Sequence, residues 1–236
     1  MQLVKIVWPT KFLYVKRLLP RTDLRILDIG CGNNSPSITK HWFPGCHYSG
    51  ADIQHYNNSD DDLDAMDAFY PLGVDGSGYA LIPDRNFDYI LLHHVVEHMP
   101  DPYPILAQIC KKLRPGGYLW VAFPSVATLT FPHAATGTLH FCDDQSHVFV
   151  PEIPSICNVL LKNQVIVVHA GRTRDAARTI VGLAALPWAL LKKLFTGKLA
   201  ARGLWYVLGF EDHVLGQYKP DLHHICADNP ITSVDC

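Results

Sequence analysis

His140, Asp143 and His147 are the side chains best suited to acid–base chemistry, since histidine exchanges protons near neutral pH. They lie in a polar stretch without hydrophobic periodicity, residues 124–150, which we predict to be a substrate loop. The carboxylate of Asp143 could orient either imidazole ring. The same three residues could instead hold a divalent metal, or stabilise a lid through polar contacts. We predict all three as catalytic candidates and assign no metal site.

A strand that turns on glycines forms a second candidate site. The short apolar run at residues 26–29 predicts a buried parallel strand, and Gly30 and Gly32 follow it directly. Glycines at such a turn let backbone N–H groups approach a ligand in front of the next helix. Asp28 lies at the carboxyl end of the strand, where open α/β sheets bind ligands. The dinucleotide-binding pattern Gly-x-Gly-x-x-Gly requires a third glycine at position 35, where this sequence has Ser35. Its absence disfavours an NAD-dependent oxidoreductase.

A second acid follows the glycines at the distance typical of nucleoside-binding folds. Residues 47–53 predict a strand, and Asp52 ends it next to Ile53. An acid roughly 20 residues beyond the glycines accepts hydrogen bonds from ribose hydroxyls in such folds. Two carboxylate oxygens match a vicinal diol. The alternative is a solvated loop acid.

Three histidines follow the next buried strand, at residues 86–92, in the phrase His-His-Val-Val-Glu-His. His94 and His98 could share one face of a helix, as zinc ligands do, but the metalloprotease arrangement His-Glu-x-x-His is absent. Glu97 and His98 are expected to fix the turn by hydrogen bonding.

Composition limits the class of protein. The chain has 236 residues, 48% hydrophobic and 18% charged, which suits one α/β domain with a sizeable core. A net charge of −2 gives no field that would attract nucleic acid. Seven cysteines lack Cys-x-x-Cys spacing and predict reduced thiols. Lysines and arginines interrupt the apolar residues of the N-terminal stretch, so we expect no signal peptide and a cytoplasmic location.

Three phrases in this order resemble those of the class I S-adenosylmethionine-dependent methyltransferases, of the type 11 and type 23 kind. They are the Asp-x-Gly-x-Gly of residues 28–32, the histidine phrase of residues 93–98 and the Leu-Arg-Pro-Gly-Gly of residues 113–117. The resemblance covers residues 22–124 firmly and 145–219 loosely. It implies a three-layer α/β sandwich with a seven-stranded, mostly parallel, Rossmann-like sheet and helices on both faces. It also implies a single domain over residues 1–219, with a C-terminal tail at 220–236.

The resemblance also implies site roles. The usual third glycine of the first motif falls at Asn34, and Asn tolerates left-handed backbone conformations. Asp28 is expected at the amino-acid end of the cofactor, and His93 and His94 at its methionine end. A third strand is expected at residues 63–66, with its acid, Asp64, accepting the adenine amino group. Ala65 and Met66 would lie beside the ring, and Asp67 is the second choice for the acid.

An apolar segment rich in Leu and Ala, residues 173–205, predicts a helical lid or insertion. Core or lid packing is favoured over a homodimer surface or a peripheral membrane contact through residues 179–206. The predicted activity is methyl transfer from S-adenosyl-L-methionine to a small-molecule acceptor, namely a hydroxyl of a sugar, a lipid-linked saccharide or a natural product. The alternative is a non-catalytic cofactor-binding scaffold or partner protein.

Overall fold

The computed structural model describes residues 8–134, 137–173, 176–196 and 204–220. Seven strands form one sheet: β1 Arg25–Ile29, β2 His47–Asp52, β3 Ala68–Pro71, β4 Phe87–His93, β5 Leu113–Pro124, β6 Val165–Arg172 and β7 Glu211–Tyr218. The helices are α1 Thr10–Leu18, α2 Ser35–Trp42, α3 Asp60–Asp64, α4 Pro102–Cys110, α5 Ile153–Lys162, α6 Ala176–Thr196 and α7 Leu204–Leu208. Short 3₁₀ turns occur at Tyr79–Leu81, Val96–His98, Val126–Thr130 and Phe141–Asp143.

The sheet has the order β3-β2-β1-β4-β5-β7-β6. Strands β1 to β5 run parallel to one another, whereas β7 runs antiparallel to both β5 and β6. This confirms the predicted seven-stranded, mostly parallel sheet. Because β7 runs the other way, its first residue, Glu211, pairs with Pro124 at the carboxyl end of β5. The antiparallel strand therefore begins at the edge where the parallel strands end.

Hydrophobic layers cover both faces of the sheet. Ile90 and Leu92 of β4 belong to one buried cluster, with Leu106 of α4 and Ile156 of α5. The intervening β4 residues Tyr89 and Leu91 belong to a second cluster on the other face, together with α1 and α2. A strand buried on both sides reads as one continuous apolar run, which is why β4 was predictable from its sequence. The predicted three-layer arrangement is confirmed.

The predicted third strand at residues 63–66 is wrong. Residues Asp60–Asp64 form α3, and β3 follows it at Ala68–Pro71. A capping box starts the helix: Ser59 Oγ accepts from Asp62 N, and the Asp62 carboxylate accepts from Ser59 N at 2.8 Å. Acids in a first helical turn also favour the positive end of the helix dipole. The acid-rich segment is therefore a capped helix, and the strand is displaced along the chain.

The Leu-Arg-Pro-Gly-Gly phrase lies at the start of β5 rather than in a turn before it. Leu113 pairs with Phe87, and the register then shifts before Tyr118 pairs with Tyr89. Gly116, with φ of +80°, lies within this irregularity. An irregularity of this kind gives the phrase a structural role at the start of the strand.

Helix α6 exposes most of its large apolar side chains. Leu186 packs against a small cluster of Leu139, Leu204 and Phe210. Eight others lie exposed: Ile180, Val181, Leu183, Trp188, Leu190, Leu191, Leu194 and Phe195. None of the described helices has the length and hydrophobicity needed to cross a membrane. Of the predicted C-terminal tail, all but Pro220 lies outside the described residues.

Candidate functional site

An open cleft of about 1340 Å³ runs along the carboxyl edge of the parallel strands. One half lies over β1 and β2, and the other half is enclosed by β4, the substrate loop and the residues around α7. Most of the predicted cofactor residues line this cleft, namely Asp28, Gly30, Gly32, Asp52, Ile53, His93 and His94. The sheet edge therefore brings together side chains from three strands, as the fold predicts.

The turn after β1 needs its glycines. Gly30 has a φ of +76°, and a Cβ there would collide with the Val95 side chain. A Cβ on Gly32 would lie 2.7 Å from the carbonyl oxygen of Tyr56. Asn34, where the third glycine was expected, adopts the left-handed conformation with φ of +62°. The backbone of this turn therefore forms the floor of the cleft without side chains that would block a ligand.

The Asp28 carboxylate is fixed by one oxygen only. Ser35 Oγ and Tyr48 OH both donate to Oδ2, at 2.5 and 2.8 Å. Oδ1 has no hydrogen-bond donor among the described residues, and Asp28 lines the cleft. This oxygen is positioned to accept from a cationic amino group, because a buried carboxylate needs a donor or an opposite charge.

The Asp52 carboxylate faces the glycine turn across the β1–β2 pair. Its Oδ1 accepts from the N–H of Ile53 at 2.7 Å. Backbone hydrogen bonds from Gln54 and Gly32 also favour its charged form. Burial raises the pKa of Asp52. A carboxylate beside Gly32 matches the sequence prediction for an acceptor of ribose hydroxyls.

Asp64, Ala65 and Met66 do not line the cleft, which corrects their predicted place beside adenine. Asp64 is exposed on α3, and the Met66 sulfur lies near Gly50 in the buried layer on the face of the sheet that α1 and α2 cover. Residues 72–76, the connection after β3, line the cleft together with Tyr79 in the place predicted for Asp64, Ala65 and Met66. The displacement follows from α3, which occupies the positions predicted for the strand.

A network of histidines and glutamates occupies the centre of the cleft. Nε2 of His93 and Nε2 of His94 each lie 3.0 Å from Oε2 of Glu211. Nδ1 of His94 lies 3.0 Å from Oε1 of Glu97. His94 has a φ of +59°, a strained conformation for a residue other than glycine. The sequence did not predict Glu211 as a site residue, because Glu211 begins a strand, and ligand-binding residues are expected where parallel strands end.

The two histidines of this network have opposite protonation preferences. Burial lowers the pKa of His93, and this outweighs the attraction of Glu211. Burial also opposes the charge on His94, but hydrogen bonds to Glu211 and Glu97 raise its pKa to about 10. Burial opposes ionisation of Glu211, yet the two histidines hold its pKa well below its usual range. A neutral His93 that donates Nε2–H to Glu211 leaves Nδ1 free to accept a proton.

Asp143 and His140 organise the substrate loop and do not line the cleft. Oδ2 of Asp143 accepts from the backbone N–H groups of Ala134, Leu139 and His140, at 2.9 to 3.0 Å. His140 contacts the Leu129 carbonyl through Nε2 and accepts from Cys142 N through Nδ1. The loop backbone and the His133 side chain engage their polar atoms, and their catalytic roles stay predictions. His147, by contrast, does line the cleft.

Replacing Asp143 with Asn should destabilise the fold by about 2 kcal/mol at pH 7, because a charged acceptor of several hydrogen bonds is lost. Burial raises the pKa of Asp143, but hydrogen bonds from Ala134, Leu139, His133 and His140 together outweigh burial and lower it to about 2. The stabilisation is therefore present above the unfolded pKa of about 3.9 and is lost as pH falls toward 2.

Urea unfolding at pH 7 and pH 3 measures this effect. The difference between wild type and D143N should be smaller at pH 3. The control is Asp144→Asn, since among the described residues only Ser146 donates hydrogen bonds to Asp144, and Nε2 of His147 lies farther away at 3.9 Å. Equal losses in the two variants at pH 7 would contradict the loop-organising role.

Aromatic side chains wall the other half of the cleft. Trp205 and Phe210 stack with ring centroids 4.0 Å apart, and the Trp205 indole N–H donates to the Thr138 carbonyl. Both rings line the cleft, with Tyr206 beside them. These residues lie in and after α7, a segment whose apolar pattern alone did not distinguish a cleft wall from core packing.

Comparison of the sequence with known proteins identifies a matching family and several relatives. The family described as methyltransferase domain matches residues 11–169. The 27-O-demethylrifamycin SV methyltransferase of Amycolatopsis mediterranei is 32% identical over 108 residues, which cover 43% of this chain and 39% of that protein. A ubiquinone biosynthesis O-methyltransferase of Parvibaculum lavamentivorans is 35% identical over 107 residues, 44% of this chain and 41% of its own length. The matched part spans about two fifths of these relatives.

Solved structures share the fold over nearly the whole chain. A SAM-dependent methyltransferase from Archaeoglobus fulgidus has a TM-score of 0.55 at 16% identity, covering 92% of this chain and 93% of that one. Phosphoethanolamine N-methyltransferase 2 of Haemonchus contortus, in complex with S-adenosyl-L-methionine, has a TM-score of 0.61 at 15% identity. It covers 90% of this chain and 53% of that one. At this level of identity the likeness concerns the fold alone.

Proposed function

Since this chain belongs to the methyltransferase domain family, we propose that it methylates a hydroxyl of a small molecule with S-adenosyl-L-methionine as donor. The observation that carries the proposal is the His93–Glu211 pair, which sits in the same cleft as the Asp28 and Asp52 carboxylates. A proton acceptor beside a nucleoside pocket is what methylation of a weakly acidic hydroxyl requires.

The residues of the cleft fit the cofactor. Asp52 offers acceptor oxygens for the ribose diol, and the bare backbone at Gly30 and Gly32 admits the nucleoside. Oδ1 of Asp28 is available for the amino group of the methionine part. When bound, the cofactor supplies an electrophilic methyl group on a sulfonium. Carboxylates suit both the sulfonium and the amino group through their charge.

His93 takes the proton. Nδ1 of His93 would accept the O–H proton of the acceptor while the bound cofactor would supply the methyl group, its sulfonium becoming a neutral thioether as the S–CH3 bond breaks. The Glu211 carboxylate keeps hold of the Nε2–H, fixes the ring orientation and stabilises the imidazolium that forms, as the carboxylate does in other acid–base pairs. Alignment of oxygen and methyl group within one cleft supplies much of the remaining rate.

One wall of the acceptor half of the cleft is aromatic and favours a molecule with an apolar face. Trp205 and Phe210 present stacked rings to it, and Thr138 adds a polar edge. An apolar ring that bears a hydroxyl suits these walls better than a free sugar does. The names of two relatives refer to 27-O-demethylrifamycin SV and to O-methylation in ubiquinone biosynthesis. Among the predicted acceptors, a natural-product hydroxyl is therefore the one we favour.

A labelled-methyl assay tests this proposal. The full chain is incubated with tritium-labelled S-adenosyl-L-methionine and a panel of catechol, a hydroquinone, a hexose, an aromatic amine and a thiol. We expect transfer to the ring hydroxyls and micromolar binding of the cofactor by calorimetry. No cofactor binding at about 1 mM, an affinity of about −4 kcal/mol, would remove the basis of the proposal. Transfer confined to the amine or thiol would overturn the choice of oxygen.

A further inference from the structure

A second cluster of titratable side chains lies at the acceptor end of the cleft, apart from the His93–Glu211 pair. Glu97, His98 and His147 each place one potential ligand atom within 4.8 Å of the other two. All three line the cleft. Glu97 and His98 come from the 3₁₀ turn after β4, and His147 comes from the substrate loop.

One oxygen of the Glu97 carboxylate has no hydrogen-bond partner among the described residues. The residue is 0% exposed. Its Oε1 contacts Nδ1 of His94, but Oε2 is buried with no hydrogen-bond partner among the described residues. Leaving a buried carboxylate oxygen unpaired is costly, and this cost is removed when a donor or a cation binds it. This oxygen therefore points to a bound group at the site.

Both histidines present their outer ring nitrogen in the way metal ligands do. Nδ1 of His98 lies 3.2 Å from the carbonyl oxygen of Ser146 and 3.0 Å from the hydroxyl oxygen of the same residue. Nδ1 of His147 lies 2.7 Å from the carbonyl oxygen of Phe141. An imidazole that donates Nδ1–H to a carbonyl keeps the lone pair of Nε2 for a metal, and such partners orient ligating histidines.

Backbone hydrogen bonds fix the two halves of the cluster to each other. The carbonyl oxygen of Glu97 accepts from Val148 N at 2.9 Å and from Phe149 N at 3.1 Å. His147 directly precedes these donors in the chain. The rings of His98 and His147 lie with centroids 4.9 Å apart. Small side-chain rotations bring such atoms to the roughly 2.1 Å that a first-row metal needs.

We propose that Glu97, His98 and His147 bind one divalent transition-metal ion whose open positions take the acceptor's oxygens. Two imidazoles with one carboxylate on one side of an ion leave coordination positions free, and imidazole favours Fe²⁺ or Zn²⁺ over Mg²⁺. The metal would polarise the acceptor hydroxyl, and two open positions would orient an acceptor with neighbouring oxygens. The role toward the acceptor rests on the proposed function, whereas metal binding does not.

Titration of the metal-stripped full chain with Mn²⁺, followed by electron paramagnetic resonance of the free ion, tests the site. We expect one site per chain, competition by Zn²⁺, and at least tenfold weaker Mn²⁺ binding in His98→Ala and His147→Ala. The matched control is His41→Ala, since His41 is an exposed histidine outside the cleft and should bind Mn²⁺ as wild type does. His98 is itself exposed, so H98A is the variant that decides if H147A unfolds.

Calorimetry with S-adenosyl-L-methionine on the same samples separates this inference from the proposed function. Mn²⁺ affinity lost in H98A, with cofactor affinity within threefold of wild type, would support the metal site. The site is overturned if wild type binds neither Mn²⁺ nor Zn²⁺, or if H98A and H147A bind Mn²⁺ as wild type does. Either of those results leaves cofactor binding, and hence the proposed function, standing.

Discussion

Replacing His93 with Ala should lower kcat by about 10²- to 10⁴-fold, the usual contribution of a positioned general base. Cofactor affinity should stay within about threefold, because the groups assigned to the nucleoside lie on β1 and β2. The loss should fall on methyl transfer itself, since the acceptor hydroxyl no longer has an imidazole to receive its proton. Single-turnover assays with the labelled donor measure it directly.

Two further measurements identify the role of His93. The wild-type rate should rise with pH and level off by neutrality, because burial places the pKa of His93 below its usual 6.5 and only the neutral ring accepts a proton. H93A should lack this acidic limb. Glu211→Gln should slow transfer as well, since the amide removes the charge that stabilises the imidazolium. His41→Ala serves as control, and an H93A rate within threefold of wild type would place the base elsewhere.

Replacing Asp52 with Ala should weaken S-adenosyl-L-methionine binding by about 10²- to 10⁴-fold. Two hydrogen bonds from ribose hydroxyls to a carboxylate, at about 1.5 to 3 kcal/mol each, account for that range. Calorimetry with the cofactor and with S-adenosylhomocysteine should report the same loss, because both carry the ribose. Transfer at saturating donor should change much less than affinity does.

The matched control is Asp64→Ala, an acid nearby in the chain but exposed on α3 and outside the cleft. It should bind the cofactor within twofold of wild type. A comparable loss in D64A would restore the original prediction that this acid contacts adenine. Unchanged affinity in D52A would show that Asp52 does not hold the ribose. Thermal unfolding of both variants verifies that each is folded.

Local patterns were sufficient wherever one strand and the turn after it determine the geometry. Asp28 near the end of β1, Asp52 at the end of β2 and His93 at the end of β4 all lie at the sheet edge predicted for them. In each case the residues that matter lie at or near the carboxyl end of a buried parallel strand. Because such strands all end at one edge, order along the chain is enough to bring these side chains together.

The predictions failed where competing local chemistry or distant partners decide the outcome. The Ser59–Asp62 capping box made α3 out of a segment interpreted as a strand, although both residues are visible in the sequence. Asp143 is bound by backbone N–H groups of its own loop, which no side-chain pattern reveals. Glu211 requires knowledge that the last strand runs antiparallel, because only then does a strand's first residue reach the cleft.

β7 supplies the carboxylate beside His93, although the proposed donor-binding groups lie in the first half of the chain. β7 fills the gap between β5 and β6, and it is the last described strand along the chain. Asp28, the glycine turn and Asp52 all precede Glu211, whose carboxylate lies 3.0 Å from Nε2 of His93. We therefore expect a chain truncated before residue 211 to lack the proposed proton-accepting pair even where every proposed donor-binding residue is present.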